Sequence, residues 1–266
     1  MKLSSLYLFF IIGAALVLSS CKKEFNSKNN ADDITALKAS KANPDTKNNT
    51  FKGPQVEVGN GYARTFAIIS YSGVPQETGV ILTDEALSRL PDINTIYSLE
   101  LHHKAIEATP FEHVAMGLSA HGHVLPPSGQ IGPHFDVRFF MMTEEERLAI
   151  PAPPAPGFDV SPPPGYLPSN YVKNSAQAQI GRHWAENIFT AGTPVNHTMV
   201  FGTWNGELTF INPIVTLTTL ASGTSYSVAY PQPQYFAKHG YYPTKYNIYQ
   251  DNKGNHYVTL SDFVWR

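Results

Sequence analysis

Two stretches decide how this chain folds: FEHVAMGLSAHGH (residues 111–123) and HFDVRFFMM (residues 134–142). Both alternate with period two, the repeat of a strand whose successive side chains point to opposite faces. In the first, His113, Ala115, Gly117, Ser119, His121 and His123 share a face, and Val114, Met116, Leu118 and Ala120 take the other. In the second, His134, Asp136, Arg138 and Phe140 stand together, opposite Phe135, Val137, Phe139 and Met141. The connector VLPPSGQIGP (residues 124–133) is rich in proline and glycine and suits a long hairpin loop. Paired across it, the two strands would bring His121 and His123 near His134 and Asp136.

Outward from this pair the same period recurs. ARTFAIISY (63–71) and ETGVIL (77–82) flank a turn at Gly73 and Pro75, and IYSLELH (96–102) alternates again. TDEALSRL (83–90) reads as a short helix with Thr83 as N-cap and Asp84 and Glu85 in its first turn. TEEER (143–147) is a capping box, Thr143 with Glu146, and opens another. HTMVFGTW and ELTFI meet at Asn205-Gly206, the strongest short hairpin signal, and Pro213 then implies an edge position or a bulge. IVTLTTL (214–220), TSYSVAY (224–230), YNIYQ (246–250) and HYVTL (256–260) complete the strands, with DNKGN (251–255) as the last turn. PAPPAPGFDVSPPPGYLPSN (151–170) can be neither helix nor central strand and reads as a surface loop. The fold expected is all-β or β-rich α+β: an antiparallel sandwich or barrel of about ten strands with two or three short helices.

At 266 residues the chain has room for one large domain or two small ones. Its net charge of -2, with no basic stripe, argues against nucleic acid as a partner. Lys2 followed by LYLFFIIGAALVL (6–18) has the form of a signal peptide, shorter than the roughly 20 residues of a membrane span. Leu18-Ser19-Ser20-Cys21 resembles a bacterial lipobox, which implies a lipid on Cys21; an ordinary signal peptide with an incidental cysteine is the alternative. Cys21 is the only cysteine, so the mature chain has no intramolecular disulfide. Residues 21–55, rich in Lys, Asn, Asp and Ser, read as a disordered tether with a reach of roughly 30 Å. The domain plan is therefore a signal peptide (1–20), a tether (21–55) and one β-rich domain (56–266) held to the bacterial cell envelope, with homo-oligomers left open.

Beyond pattern, GPHFDVRFFMMTEEER (132–147) resembles a family of functionally uncharacterised exported bacterial proteins. Their signature is Gly-His, then Pro-His-Phe-Asp-x-His-Phe-Tyr, then Gly-x-His-Trp, then a Tyr/Trp-x-Gly stretch ending in Glu-Pro. Gly122-His123, residues 133–139, Gly181-Arg182-His183-Trp184 and residues 204–213 stand at those places, and the likeness runs roughly over residues 59–249. Arg138 stands for the second histidine, Asn212 for the glutamate and Val124 for an acidic residue. The resemblance implies a shared fold more than a shared activity.

His123, His134, Asp136 and His183 could together supply the three or four ligands of a metal site, suited to zinc, iron, manganese or copper. His121 and Arg138 would then face a bound ligand. Arg138 shares a face with His134 and Asp136 and opposes a cation there unless Asp136 neutralises it. The same residues also make sense as a hydrogen-bonded seam, since buried polar groups must be paired anyway. No Gly-x-Ser-x-Gly elbow and no phosphate-cradling glycine loop is present. Tyr226, Tyr230, Tyr235, Tyr241 and Tyr242 could stack on sugars or fill core and edge positions. Three readings remain open: a binding protein for a metal ion or small ligand, a metal-dependent hydrolase or oxygenase, and a structural envelope protein.

Overall fold

The computed structural model describes residues 48–125, 129–188 and 192–266. The segments expected to be a signal peptide and most of a tether, with Cys21 between them, lie outside the described residues. In chain order the strands are β1 (Asn48–Lys52), β2 (Val56–Val58), β3 (Gly61–Ser70), β4 (Pro75–Leu82), β5 (Thr95–Glu100), β6 (His113–Ser119), β7 (His123–Leu125) and β8 (Gly129–Ile131). Then come β9 (His134–Phe140), β10 (Tyr171–Gln177), β11 (Gly181–Glu186), β12 (His197–Trp204), β13 (Glu207–Thr216), β14 (Tyr226–Ala229), β15 (Tyr241–Gln250) and β16 (His256–Trp265). Three short α-helices lie between them: α1 (His103–Ala108), α2 (Glu144–Leu148) and α3 (Leu217–Ala221).

All of these strands except β7 and β8 form two open antiparallel sheets, so the fold is a sandwich rather than a closed barrel. The first runs β1-β3-β4-β16-β15-β14, with β2 beside β3. The second runs β10-β11-β12-β13-β9-β6-β5. One apolar cluster joins their inner faces, drawing Ala67, Val80, Val258 and Leu260 from the first and Val114, Phe135, Phe139, Met199 and Phe201 from the second. The first sheet thus combines the two ends of the described chain, and the middle of the chain makes the second.

Every residue of β6 and of β9 is buried, on both faces. Alternation alone predicts one wet face; the outer face of the second sheet is instead covered from two ends. At one end β7 and β8 pair as a small separate sheet, whose Leu125 and Ile131 pack on Ala185, Val200 and Ile214. At the other, Ile180 and the half-buried Met142 close over Ala115, Phe140 and Phe210. Nearby, α2 is pinned by Arg147, whose Nε donates to His113 Nε2 at 3.1 Å and whose Nη1 donates to the Gln179 carbonyl at 3.0 Å.

Several expectations need correction. The connector after β6 is not a plain hairpin loop: it carries β7 and β8, anchored where Val195 N donates to the Gln130 carbonyl at 2.8 Å. Asn48–Lys52, placed in the tether by composition, pairs with β3, because even polar side chains can edge a sheet when the backbone ladder is offered. Pro213 lies in a central strand between β12 and β9, and the recorded pairs with β9 skip Asn212 and Pro213, where the missing N–H of proline weakens the ladder. Of IVTLTTL only residues 214–216 are strand; Thr216 Oγ1 accepts from Thr219 N at 3.2 Å and caps α3. Residues 84–87 form a single 3₁₀ turn, and Thr83 Oγ1 accepts from Tyr62 N rather than capping it. β10, β11 and α1 went unrecognised in the sequence. The capping box at Thr143 and Glu146 is present, and Asn205 and Gly206 both take positive φ (50° and 79°), as a primed hairpin turn requires.

A candidate ligand pocket on the outer face of the second sheet

The register sets the histidine face row by row. Across β6 and β9, Gly117 faces Asp136 and Ala115 faces Arg138. Across β9 and β13, Ile214 faces Asp136. The polar residues therefore lie mid-sheet, in a gap between the two small apolar clusters, and not in the sandwich core.

Asp136 is the hub. Arg138 Nη2 donates to its Oδ2 at 3.0 Å, and Asn212 Nδ2 donates to its Oδ1 at 2.7 Å. Gly117 makes room for the guanidinium: a Cβ there would sit 2.6 Å from Arg138 Nη1. Burial works against the charge on Asp136, but the Arg138 guanidinium beside it outweighs that cost and holds its carboxyl well below the usual carboxylate range. The pair is thus an ion pair at neutral pH, and its charges cancel locally.

His134 is fully buried. Its Nδ1 lies 2.7 Å from the Gly132 carbonyl oxygen, which can only accept, so Nδ1 carries a proton. Its Nε2 stands 3.5 Å from Asp136 Oδ2, too long and poorly placed for a hydrogen bond, and has no other partner. His123 meets it edge-on, with ring centroids 4.9 Å apart. His183 reaches the gap from β11, which is separated from β9 by β12 and β13, so the backbones of the two strands are about 14 Å apart. Its Nδ1 is 3.3 Å from the Ser175 carbonyl, and burial, then Arg138, push its pKa down to about 4.

These groups surround a cavity of about 170 Å³. His123, Asp136, Arg138 and His183 line it, together with Asn94, Ser119, Asn174, Ser175 and Gln177. His134 stands behind Asp136 rather than on the wall. His121 is not part of the site: it lies past the end of β6, exposed, with Nε2 3.6 Å from Asp92 Oδ1. The strand that was to carry it ends at Ser119, because the chain turns at Gly122, whose φ of 68° few other residues adopt. Among the described residues, no three His, Cys, Asp or Glu side chains group closely enough to hold a metal ion. Sequence reasoning missed Asn212 as the second partner of Asp136, and missed the amide and hydroxyl wall supplied by β10. The one available signal was Asn212 itself, a polar residue in phase with Phe210 and Ile214.

Compared with protein-family models, curated proteins and solved structures, the chain matches none of them. The site defines the chain by its geometry alone: a β-sandwich with a small polar cavity on a covered sheet face.

Proposed function

We propose that this is a lipid-anchored envelope protein whose cavity binds a small polar organic ligand. The observation that carries the reading is the Asp136–Arg138 pair, whose charges cancel at the cavity wall. A cation would meet a guanidinium there, and an anion a carboxylate. A ligand offering both donors and acceptors meets matched groups in Asp136, Arg138, His183 and the surrounding amides and hydroxyls. At about 170 Å³ the cavity is below the ~300–1,000 Å³ that holds drug-sized molecules, so the ligand is small.

Elemental analysis and native mass spectrometry of freshly purified protein test this. The expected result is no stoichiometric metal, an unchanged melting temperature in chelator, and a small organic mass released on denaturation. Stoichiometric zinc, iron or manganese, with a melting temperature that falls on chelation, would return the site to metal binding, since a bound ion stabilises the native state.

The anchoring rests on Leu18-Ser19-Ser20-Cys21 and the polar segment that follows. Among the described residues no helix is long and apolar enough to cross a membrane. Cys21→Ala should move the protein from the membrane fraction to the soluble one, because it removes the acylated thiol. Undiminished membrane retention of the variant would count against a lipid on Cys21.

A further inference from the structure

We infer, on the reading that Cys21 carries a lipid, that one end of the first sheet rests on the bilayer, with Trp265, Tyr241 and Tyr71 seated at the headgroups. The strand registers bring these residues to the same end. β1 opens at Asn48, which pairs with Ser70, the last residue of β3. Ser70 N donates to the Val74 carbonyl at 2.9 Å across a tight turn, and Tyr71 stands in that turn, 66 % exposed. β4 leaves the turn at Pro75 and first pairs with β16 at Glu77↔Ser261. From there β16 runs on towards the same end, to Trp265, which pairs with Tyr241 of β15. The Trp265 ring meets the Tyr241 ring edge-on, with centroids 5.0 Å apart, yet the residue is 60 % exposed, and Val264 beside it is exposed too. Tyr71, Val264 and Trp265 thus leave an open apolar patch at one end of one sheet, the mark of an interaction surface.

Two observations select a bilayer as the partner. The first is where the chain leads. Residues 22–47 join Cys21 to Asn48, so the link to the lipid enters the sheet at the aromatic end and not at the other. A tethered domain meets the surface at high effective concentration, and a weak patch is then enough to fix its orientation. The second is chemistry. Trp and Tyr rings, apolar in body and polar at one edge, settle at the level of the headgroups. Lys238 and Arg266 flank Tyr242 and Gly240 at this end, and Lys104, paired with Glu107, lines a hollow beside Tyr71. At the opposite end, around Tyr62, stand Glu57, Asp84, Glu85 and Asp251, against Arg89 and Lys253. An anionic leaflet attracts the first end and repels the second.

The test uses the full-length protein, extracted from membranes and reconstituted into phosphatidylethanolamine–phosphatidylglycerol vesicles brominated on the acyl chains near the headgroup. Tryptophan fluorescence is compared with that in unbrominated vesicles, and the mass of the Cys21 peptide is measured on the same sample. Trp265 is the one exposed tryptophan; Trp184 is buried and Trp204 half-buried against Phe158. Bromolipid should quench the emission, and Trp265→Phe should remove most of that quenching without moving the melting temperature. Adding Tyr62→Trp to the Trp265→Phe protein places an indole at the far end, where no quenching is expected. An acylated Cys21 with no quenching, or with quenching that survives Trp265→Phe, ends the docking proposal and leaves the lipid anchor standing. Quenching of the Tyr62→Trp variant would mean that the domain presents no fixed end to the membrane, and overturns the proposal as well. An unmodified Cys21 ends the anchoring reading and this orientation with it.

Discussion

Acidification should cost this protein several kcal/mol of stability, with most of the loss between about pH 6.5 and pH 4. The cause is two buried histidines kept neutral by the fold. Burial, then Arg147, lowers His113 from 6.5 to about 4. Burial, then Arg138, does the same to His183. In that window the unfolded chain binds protons at both imidazoles and the folded chain does not, so stability rises with pH and falls on acidification. A depression from 6.5 to about 4 corresponds to about 3 kcal/mol per histidine as an upper figure. Neither imidazole can be protonated without loss: His113 Nε2 already accepts from Arg147 Nε, and its ring stacks on Phe140 at 5.0 Å. Urea unfolding as a function of pH measures the effect. The double variant H113Q/H183Q should flatten the profile above pH 4. A wild-type profile flat down to the carboxylate range would show that these histidines do not set the acid limit.

Removing the guanidinium at the hub should cost nearly as much at neutral pH. Arg138→Met leaves Asp136 charged and buried with Asn212 as its remaining hydrogen-bond donor, and breaking one side of a buried pair costs about 3–5 kcal/mol. Adding Asp136→Asn should restore more than half of the loss, because the neutral amide no longer needs a cation. Chemical denaturation of the two single variants and the double variant measures the coupling directly. A single Arg138→Met loss under about 1 kcal/mol would mean that the pair is not what holds the cavity wall together. The wild-type pair has the opposite pH dependence to a raised carboxylate: its stabilisation is complete above the unfolded carboxylate value and is lost only as pH falls well below about 4.

The local structure was legible wherever chemistry within a few residues decides it. The hairpin at Asn205-Gly206 needs two residues that tolerate positive φ, and the capping box needs Thr143 and Glu146 three apart. The alternation in residues 113–119 and 134–140 placed His134, Asp136 and Arg138 on one face of one strand, and the Asp136–Arg138 pair follows from that spacing. Weak or mixed signals failed. YVKNSAQ (β10) alternates, but with too few apolar residues to register, because it is the edge strand of its sheet. Leu217–Ala221 is apolar and β-prone in composition, yet Thr216 caps it as a helix.

What the sequence determined by itself was the strand-rich class, the polar face of β9, and the turn chemistry that joins neighbouring strands. Only the tertiary structure decided what that face looks at. Period two states that His134, Asp136 and Arg138 share a side; it does not say whether that side is the core, the solvent or a covered pocket. The answer depends on pieces distant in the chain. β7 and β8 fold back over it, Ile180 and Met142 close the other end, β10 supplies the amide wall, and β13 sets Asn212 against Asp136 from 76 positions away. Contacts of that separation leave no local periodicity, because each residue obeys only the repeat of its own strand. The order of strands in the sheet, which no single strand records, brings them to one cavity.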